Sequence, residues 1–130
     1  MLGADVLIAG ERGDFDLSGW MASLGDEEGE LAAITVAEML HGLERATPAY
    51  RVHRQDYIDR ILNLCNVVPY TVQTAGIHAR IWAHLEVTGK MIGFHDLIVA
   101  ATALDRGDAV ATFNVRHFAM VPGLRVITPS

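Results

Sequence analysis

The chain has 130 residues, 51% hydrophobic and 20% charged, which suits one compact domain (residues 1–130) and excludes a disordered or fibrous protein, since two separate cores would each be too small to offset the entropy of ordering their backbones. A formal net charge of −6 excludes broad electrostatic attraction to nucleic acid, which needs clustered Lys and Arg. The lone Cys65 cannot close an internal disulfide and so favours a cytoplasmic home, and no apolar stretch reaches the roughly 18 residues of a membrane-spanning helix.

Short apolar runs alternate with longer periodic segments. Ala4 to Ala9 is an apolar run broken only by Asp5, and Leu31 to Ile34 is a second; both read as buried strands. Acids dominate this half through Glu30 (Asp5, Glu11, Asp14, Asp16, Asp26, Glu27, Glu28). Val36, Met39, Leu40 and Leu43 recur at helical spacing, with Gly42 near the expected end. Pro48 can open the next helix, whose apolar face would be Val52, Tyr57, Ile58, Ile61, Leu62 and Cys65. Arg45, Arg51, Arg54, Arg60 and His53 give this segment either a local basic face or, because Asp56 and Asp59 lie among them, an ordinary solvated one. After a brief extended run from Val67 to Tyr70, Thr71 can cap a helix that buries Ala75, Ala79, Trp82 and Leu85 and stops at Gly89. Leu97 to Leu104 is almost wholly apolar or small, a helix buried on several sides and stopped by Gly107; Ala109 to Thr112 and Leu124 to Ile127 complete the strands. Helices joining short apolar strands imply crossover connections and a mainly parallel sheet covered on both faces, with ligands at the strands' carboxyl ends.

Several polar residues fall at those ends. Glu38 would stand in the first turn of its helix, above the sheet edge, although Thr35-Val36-Ala37-Glu38 also fits a capping box. Asp96 opens the buried helix and serves equally as an N-cap or as a ligand. Thr112 and Asn114 follow a strand and need be no more than turn residues. Acids converging from separate elements would repel by roughly 4 kcal/mol per close pair at a surface-like dielectric, a cost that a divalent cation offsets. Oxygen donors suit Mg²⁺ or Mn²⁺, whereas one cysteine and scattered histidines (His41, His53, His78, His84, His95, His117) give no zinc pattern. Such a site points to phosphodiester hydrolysis. A small-molecule α/β domain is the weaker alternative, because the chain has no G-x-G-x-x-G after a strand and no phosphate loop.

Three segments resemble the PIN-domain family, and most closely its VapC-like ribonuclease toxins: Ile34-Thr35-Val36-Ala37-Glu38 with Gly42, Ile92 through Leu104 around Asp96, and Thr112-Phe113-Asn114-Val115-Arg116-His117-Phe118 followed by Val121-Pro122-Gly123-Leu124. The resemblance implies a three-layer α/β/α sandwich, an RNA substrate, Mg²⁺ or Mn²⁺, a homodimer and a VapB-like antitoxin. It makes Glu38 the second acid and Asp96 the third, with Thr112 and Asn114 at the polar end of a fourth motif. The amino terminus departs from the pattern. Gly3 falls where the first acid belongs, Asp5 lies two positions on, and the first strand is cut to Met1-Leu2. Asp5 is expected to stand in as the ligand, and Gly3→Asp to strengthen metal binding; a turn or capping role for Asp5 and a catalytically impaired module that still binds RNA or antitoxin are the alternatives.

Overall fold

The structure, a computed structural model, describes residues 1–25 and 29–130; Asp26, Glu27 and Glu28 lie outside the described residues. In chain order the elements are α1 (Ala4–Arg12), α2 (Leu17–Ser23), β1 (Gly29–Ala32), α3 (Ala33–Glu44), α4 (Pro48–Leu64), β2 (Cys65–Val68), α5 (Val72–Thr88), α6 (Phe94–Arg106), β3 (Val110–Ala111), α7 (Val115–Phe118) and β4 (Val126–Ile127).

β1 pairs in parallel with β2, and β3 with β4. Residues 1–3 fuse the two pairs. The Leu2 N–H donates to the Glu30 carbonyl at 2.8 Å on one side, while on the other the Gly3 N–H donates to Ala111 at 2.9 Å and the Ala111 N–H to Met1 at 2.8 Å. The spatial order is therefore β2, β1, residues 1–3, β3, β4, with the parallel sense throughout that crossover helices require.

Successive strand residues face opposite sides, and the core divides accordingly. Ala32 and Val110 join one cluster with Ile81, Leu85, Leu97 and Phe118 from α5, α6 and α7. Leu31 and Ala111 join the other with Val6, Leu7, Leu17, Tyr57 and Ile61 from α1, α2 and α4. This is the three-layer α/β/α arrangement. α6 is buried continuously from Leu97 to Ala103, as its composition implies. The expected stops hold too: Gly89 (φ 68°) and Gly107 (φ 70°) take the left-handed conformation that closes α5 and α6.

Four expectations need correction. Ala4 to Ala9 is helix, not strand, because Met1 to Gly3 already fills the strand slot and α1 buries only Val6 and Leu7 while Ile8 stays half exposed; a short apolar run cannot distinguish these by periodicity. α3 starts at Ala33 with Ala32 as its N-cap, so Thr35 is not a cap and Glu38 lies in the second turn. α5 is rotated from its expected face, burying Thr74, His78, Ile81 and Leu85 while Ala79 and Trp82 are exposed. α4 buries Tyr57, Ile58 and Ile61 but leaves Val52 exposed. The α4 arginines are largely engaged: Arg51 pairs with Glu44, Arg54 with Glu11, and Arg60 lies over the Tyr57 ring. That is the ordinary solvated face.

A buried ionic group lies beside β1. Burial favours protonation of Glu30, but hydrogen bonds from Asp108 and Arg106 and the Arg106 charge outweigh it and hold this carboxyl below its usual range. Burial, then the Glu30 hydrogen bond and charge, push Asp108 up to about 6. The buried Oδ2 of Asp108 has no donor among the described residues, which a proton shared with Glu30 resolves. The folded chain thus holds the Asp108 proton more tightly than the unfolded chain, whose ordinary value is 3.8. Its contribution to stability is full at low pH and falls as pH rises through about 6. Asp108→Asn, which keeps a donor for Glu30, is expected to raise stability at pH 7 and flatten its decline between pH 4 and 6; urea unfolding across that range checks this.

Candidate active site

Glu38 and Asp96 come from different helices, α3 and α6, and meet at the carboxyl end of the sheet. Burial first, and the Asp96 charge after it, raise the Glu38 carboxyl above its usual range despite the opposing effect of His95. The two acids are therefore close enough to repel, which is the coupling that converging carboxylates require. Each has an imidazole against it: His95 Nδ1 is 3.4 Å from Glu38 Oε1, and His117 Nδ1 is 3.4 Å from Asp96 Oδ2. α6 is capped by the backbone of Gly93 rather than by a side chain, which leaves the Asp96 carboxylate in the first turn free of capping duty. Thr35, three residues before Glu38, is fully buried with its hydroxyl unpartnered among the described residues.

A second polar group forms where α1 begins and β3 ends. The fully buried Thr112 donates its hydroxyl to the Asp5 carboxylate at 3.0 and 3.1 Å, the Phe113 N–H donates to Asp5 Oδ2 at 2.8 Å, and the Asn114 N–H donates back to the Thr112 oxygen at 3.0 Å. Thr112 is thus a positioning residue for Asp5. Asn114 is the N-cap of α7 and makes no side-chain cap bond. α7 links the two groups, since it begins just after Asn114 and carries His117 to Asp96.

Gly3 explains the position of Asp5. A Cβ on residue 3 would lie 2.7 Å from Asp5 Oδ1 and 3.2 Å from the Ala111 carbonyl. The Asp5 carboxylate has folded back into the space that a side chain on residue 3 would occupy.

Glu38, Asp96 and Asp5 are hard oxygen donors, the kind of ligand suited to a cation that keeps several waters, as Mg²⁺ does. Among the described residues no three His, Cys, Asp or Glu side chains are close enough to enclose a metal ion by themselves. Beside Glu38, a groove of about 240 Å³ runs between α1, α3 and α4, with Leu7, Ile8, Met39 and Ile58 in its walls and Glu11 and Arg12 at its rim.

The family model of the PIN domain matches residues 4–124 of this chain. The chain belongs to the PIN-domain family. Within it the chain groups with VapC proteins. It is 29% identical to ribonuclease VapC1 of Rickettsia felis over all of this chain and 96% of that one, and 32% identical to ribonuclease VapC2 of Haemophilus influenzae over 73% of this chain and 70% of that one. The crystal structure of Rickettsia felis VapBC2 bound to a promoter DNA fragment contains the same fold, with a TM-score of 0.90 at 19% identity over all of this chain and 98% of that one.

Sequence reasoning set aside His95 and His117, which the structure places against the two acids. The adjacency of His95 to Asp96 was the available signal; for His117, 21 residues away, there was none.

The geometry sets a steric condition on Gly3→Asp, since the new side chain would have to displace the Asp5 carboxylate. Alone, this change sets a new side chain against the Asp5 carboxylate and should destabilise the fold by about 1–3 kcal/mol without strengthening metal binding. Gly3→Asp with Asp5→Asn should recover most of that loss. Urea unfolding and Mn²⁺ titration of both variants check the pair.

Proposed function

We propose that this chain is the toxin of a VapBC-type toxin–antitoxin pair, an endoribonuclease that hydrolyses RNA phosphodiester bonds with Mg²⁺ or Mn²⁺. The observation that carries the reading is that Glu38 and Asp96, brought in by separate helices, each stand against an imidazole, with burial chiefly raising the Glu38 carboxyl and the Asp96 charge adding a smaller push. The names of the VapC relatives support the same activity.

Glu38, Asp96 and Asp5 would hold the cation, which when bound supplies Lewis-acid stabilisation of the charge developing on the phosphodiester. Thr112, fully buried, fixes the Asp5 carboxylate and does not itself reach the rim; the exposed Asn114 would position water or phosphate there. His95 and His117, each 3.4 Å from its carboxylate, would orient the two acids.

An antitoxin segment bearing Arg would close the site. Its planar fork matches carboxylate oxygens, and apolar anchoring would come from the groove walls of Leu7, Ile8, Met39 and Ile58. Exposed apolar side chains at Tyr50, Val52, Leu64, Val67 and Tyr70 fit a homodimer. Among the described residues no helix is long and apolar enough to cross a membrane, and a lone buried Cys65 fits the reducing cytoplasm.

A catalytically impaired PIN module that binds RNA or antitoxin is the second reading. Gly3 at the expected acid position favours it, as does the lack of a three-ligand group among the described residues.

Cleavage of mixed RNA, with and without chelator, separates the two. Asp96→Asn and Glu38→Gln are each expected to lower metal-dependent cleavage at least about 100-fold while leaving the melting transition nearly unchanged, because neither side chain caps its helix. Chelator-insensitive cleavage, or folded variants with full activity, would remove these acids from the mechanism. Co-expression with the neighbouring gene product should recover a complex, and Arg→Ala in the inserted segment should restore cleavage more than it weakens association.

A further inference from the structure

We propose that the turn from Phe113 to Arg116 grips single-stranded RNA, Phe113 by stacking on an unpaired base and Arg116 by binding an adjacent phosphate. The inference rests on the ribonuclease reading and supplies what that reading lacks, a source of RNA affinity in a chain of net charge −6. Acids at the cleavage centre repel phosphates, so binding needs a contact that charge does not govern, together with a cation that no internal carboxylate neutralises.

Phe113 supplies the first. Its backbone N–H is fixed on Asp5 at 2.8 Å, which places the residue on the rim of the site, yet 43% of its surface is exposed. The ring packs perpendicular to Phe15, at 5.4 Å between centroids and 84° between planes, and Phe15 in turn packs on Trp20. An exposed aromatic held rigid in this way is a stacking platform, and base stacking accepts any base.

Arg116 supplies the second. Arg51, Arg54 and Arg106 are paired with Glu44, Glu11 and Glu30, Arg125 donates to the Gly107 carbonyl, and Arg60 covers Tyr57. Arg116 is exposed and, like Arg12, Arg45 and Arg80, has no ion pair or hydrogen bond among the described residues, but of these it alone lies in the segment that bonds Asp5 at one end and touches Asp96 at the other. It precedes His117, which touches Asp96. Stacking surface and free cation therefore lie three positions apart on one turn, between Asp5 and Asp96. Stacking needs a base outside a duplex, so unpaired RNA is the fitting substrate.

The test uses full-length protein carrying Asp96→Asn, so that RNA survives, and a fluorescently labelled 12-nucleotide mixed-sequence oligoribonucleotide read by anisotropy. Phe113→Leu, which can still pack on Phe15, is expected to weaken binding roughly ten-fold, and Phe113→Trp to retain it. Arg116→Gln should make the slope of log affinity against log salt shallower by about 0.7, the value for one single-strand phosphate, with Arg116→Lys restoring it. Arg80→Gln, an exposed change on α5, should leave the slope unaltered. Binding indifferent to residues 113 and 116, or an equal response to Arg80→Gln, would overturn the proposal while leaving the nuclease reading intact. A Phe113→Leu protein that binds RNA like its parent but no longer co-purifies with the neighbouring gene product would overturn it in favour of an antitoxin contact. No RNA binding by the parent would overturn both readings together.

Discussion

Three residues at the amino terminus hold the architecture together. Without Met1 to Gly3 between β1 and β3, the strands form two separate pairs, and neither face of such a pair could support the helices packed on it. The bonds from Leu2 to Glu30, Gly3 to Ala111 and Ala111 to Met1 join the pairs and set the register by which Leu31 and Ala111 face one core while Ala32 and Val110 face the other. They also fix where the chain turns into α1. Asp5 reaches Thr112 and Phe113 only because its helix starts immediately beyond a strand that lies against β3.

The site follows from that placement as an arrangement of negative charge. Glu38, Asp96 and Asp5 stand on three helices, α3, α6 and α1, and among the described residues none of them pairs with an arginine. Asp5 takes donors from Thr112 and the Phe113 backbone; Glu38 and Asp96 each have an imidazole at 3.4 Å. Carboxylates satisfied in this way remain able to accept a cation, whereas an arginine fork would compete with it. The ion pairing of Glu30 with Arg106 is kept beside β1, apart from these acids.

Most of the helices could be read from the sequence because their ends carry chemistry of their own: Pro48 opens α4, Thr71 caps α5, and Gly89 and Gly107 close α5 and α6. Glu38 could be singled out because it follows an apolar run into a helix, and Asp96 because it opens one. The strand at residues 1–3 could not be read from periodicity, since three residues carry none. The apolar run from Ala4 to Ala9 therefore reads as the strand, and only the family resemblance points to Met1-Leu2. The rotation of α5 was hidden because Trp82 looks like a core residue, whereas buried Thr74 and His78 find partners in Asp105 and Tyr70 that sequence spacing does not reveal. The same holds for His117, whose meeting with Asp96 depends on α7 folding back over the sheet edge. Gly3 was legible only as a missing acid. Its physical meaning, room for the Asp5 carboxylate, required coordinates.

The central claim is that the carboxyl edge of the sheet is a cation site built on Glu38 and Asp96. Anomalous diffraction from crystals soaked in Mn²⁺ tests it most directly. A single strong peak within coordination distance of both carboxylates, lost in Asp96→Asn crystals, is the expected result. A peak elsewhere, or none at Mn²⁺ concentrations that support cleavage, would contradict it.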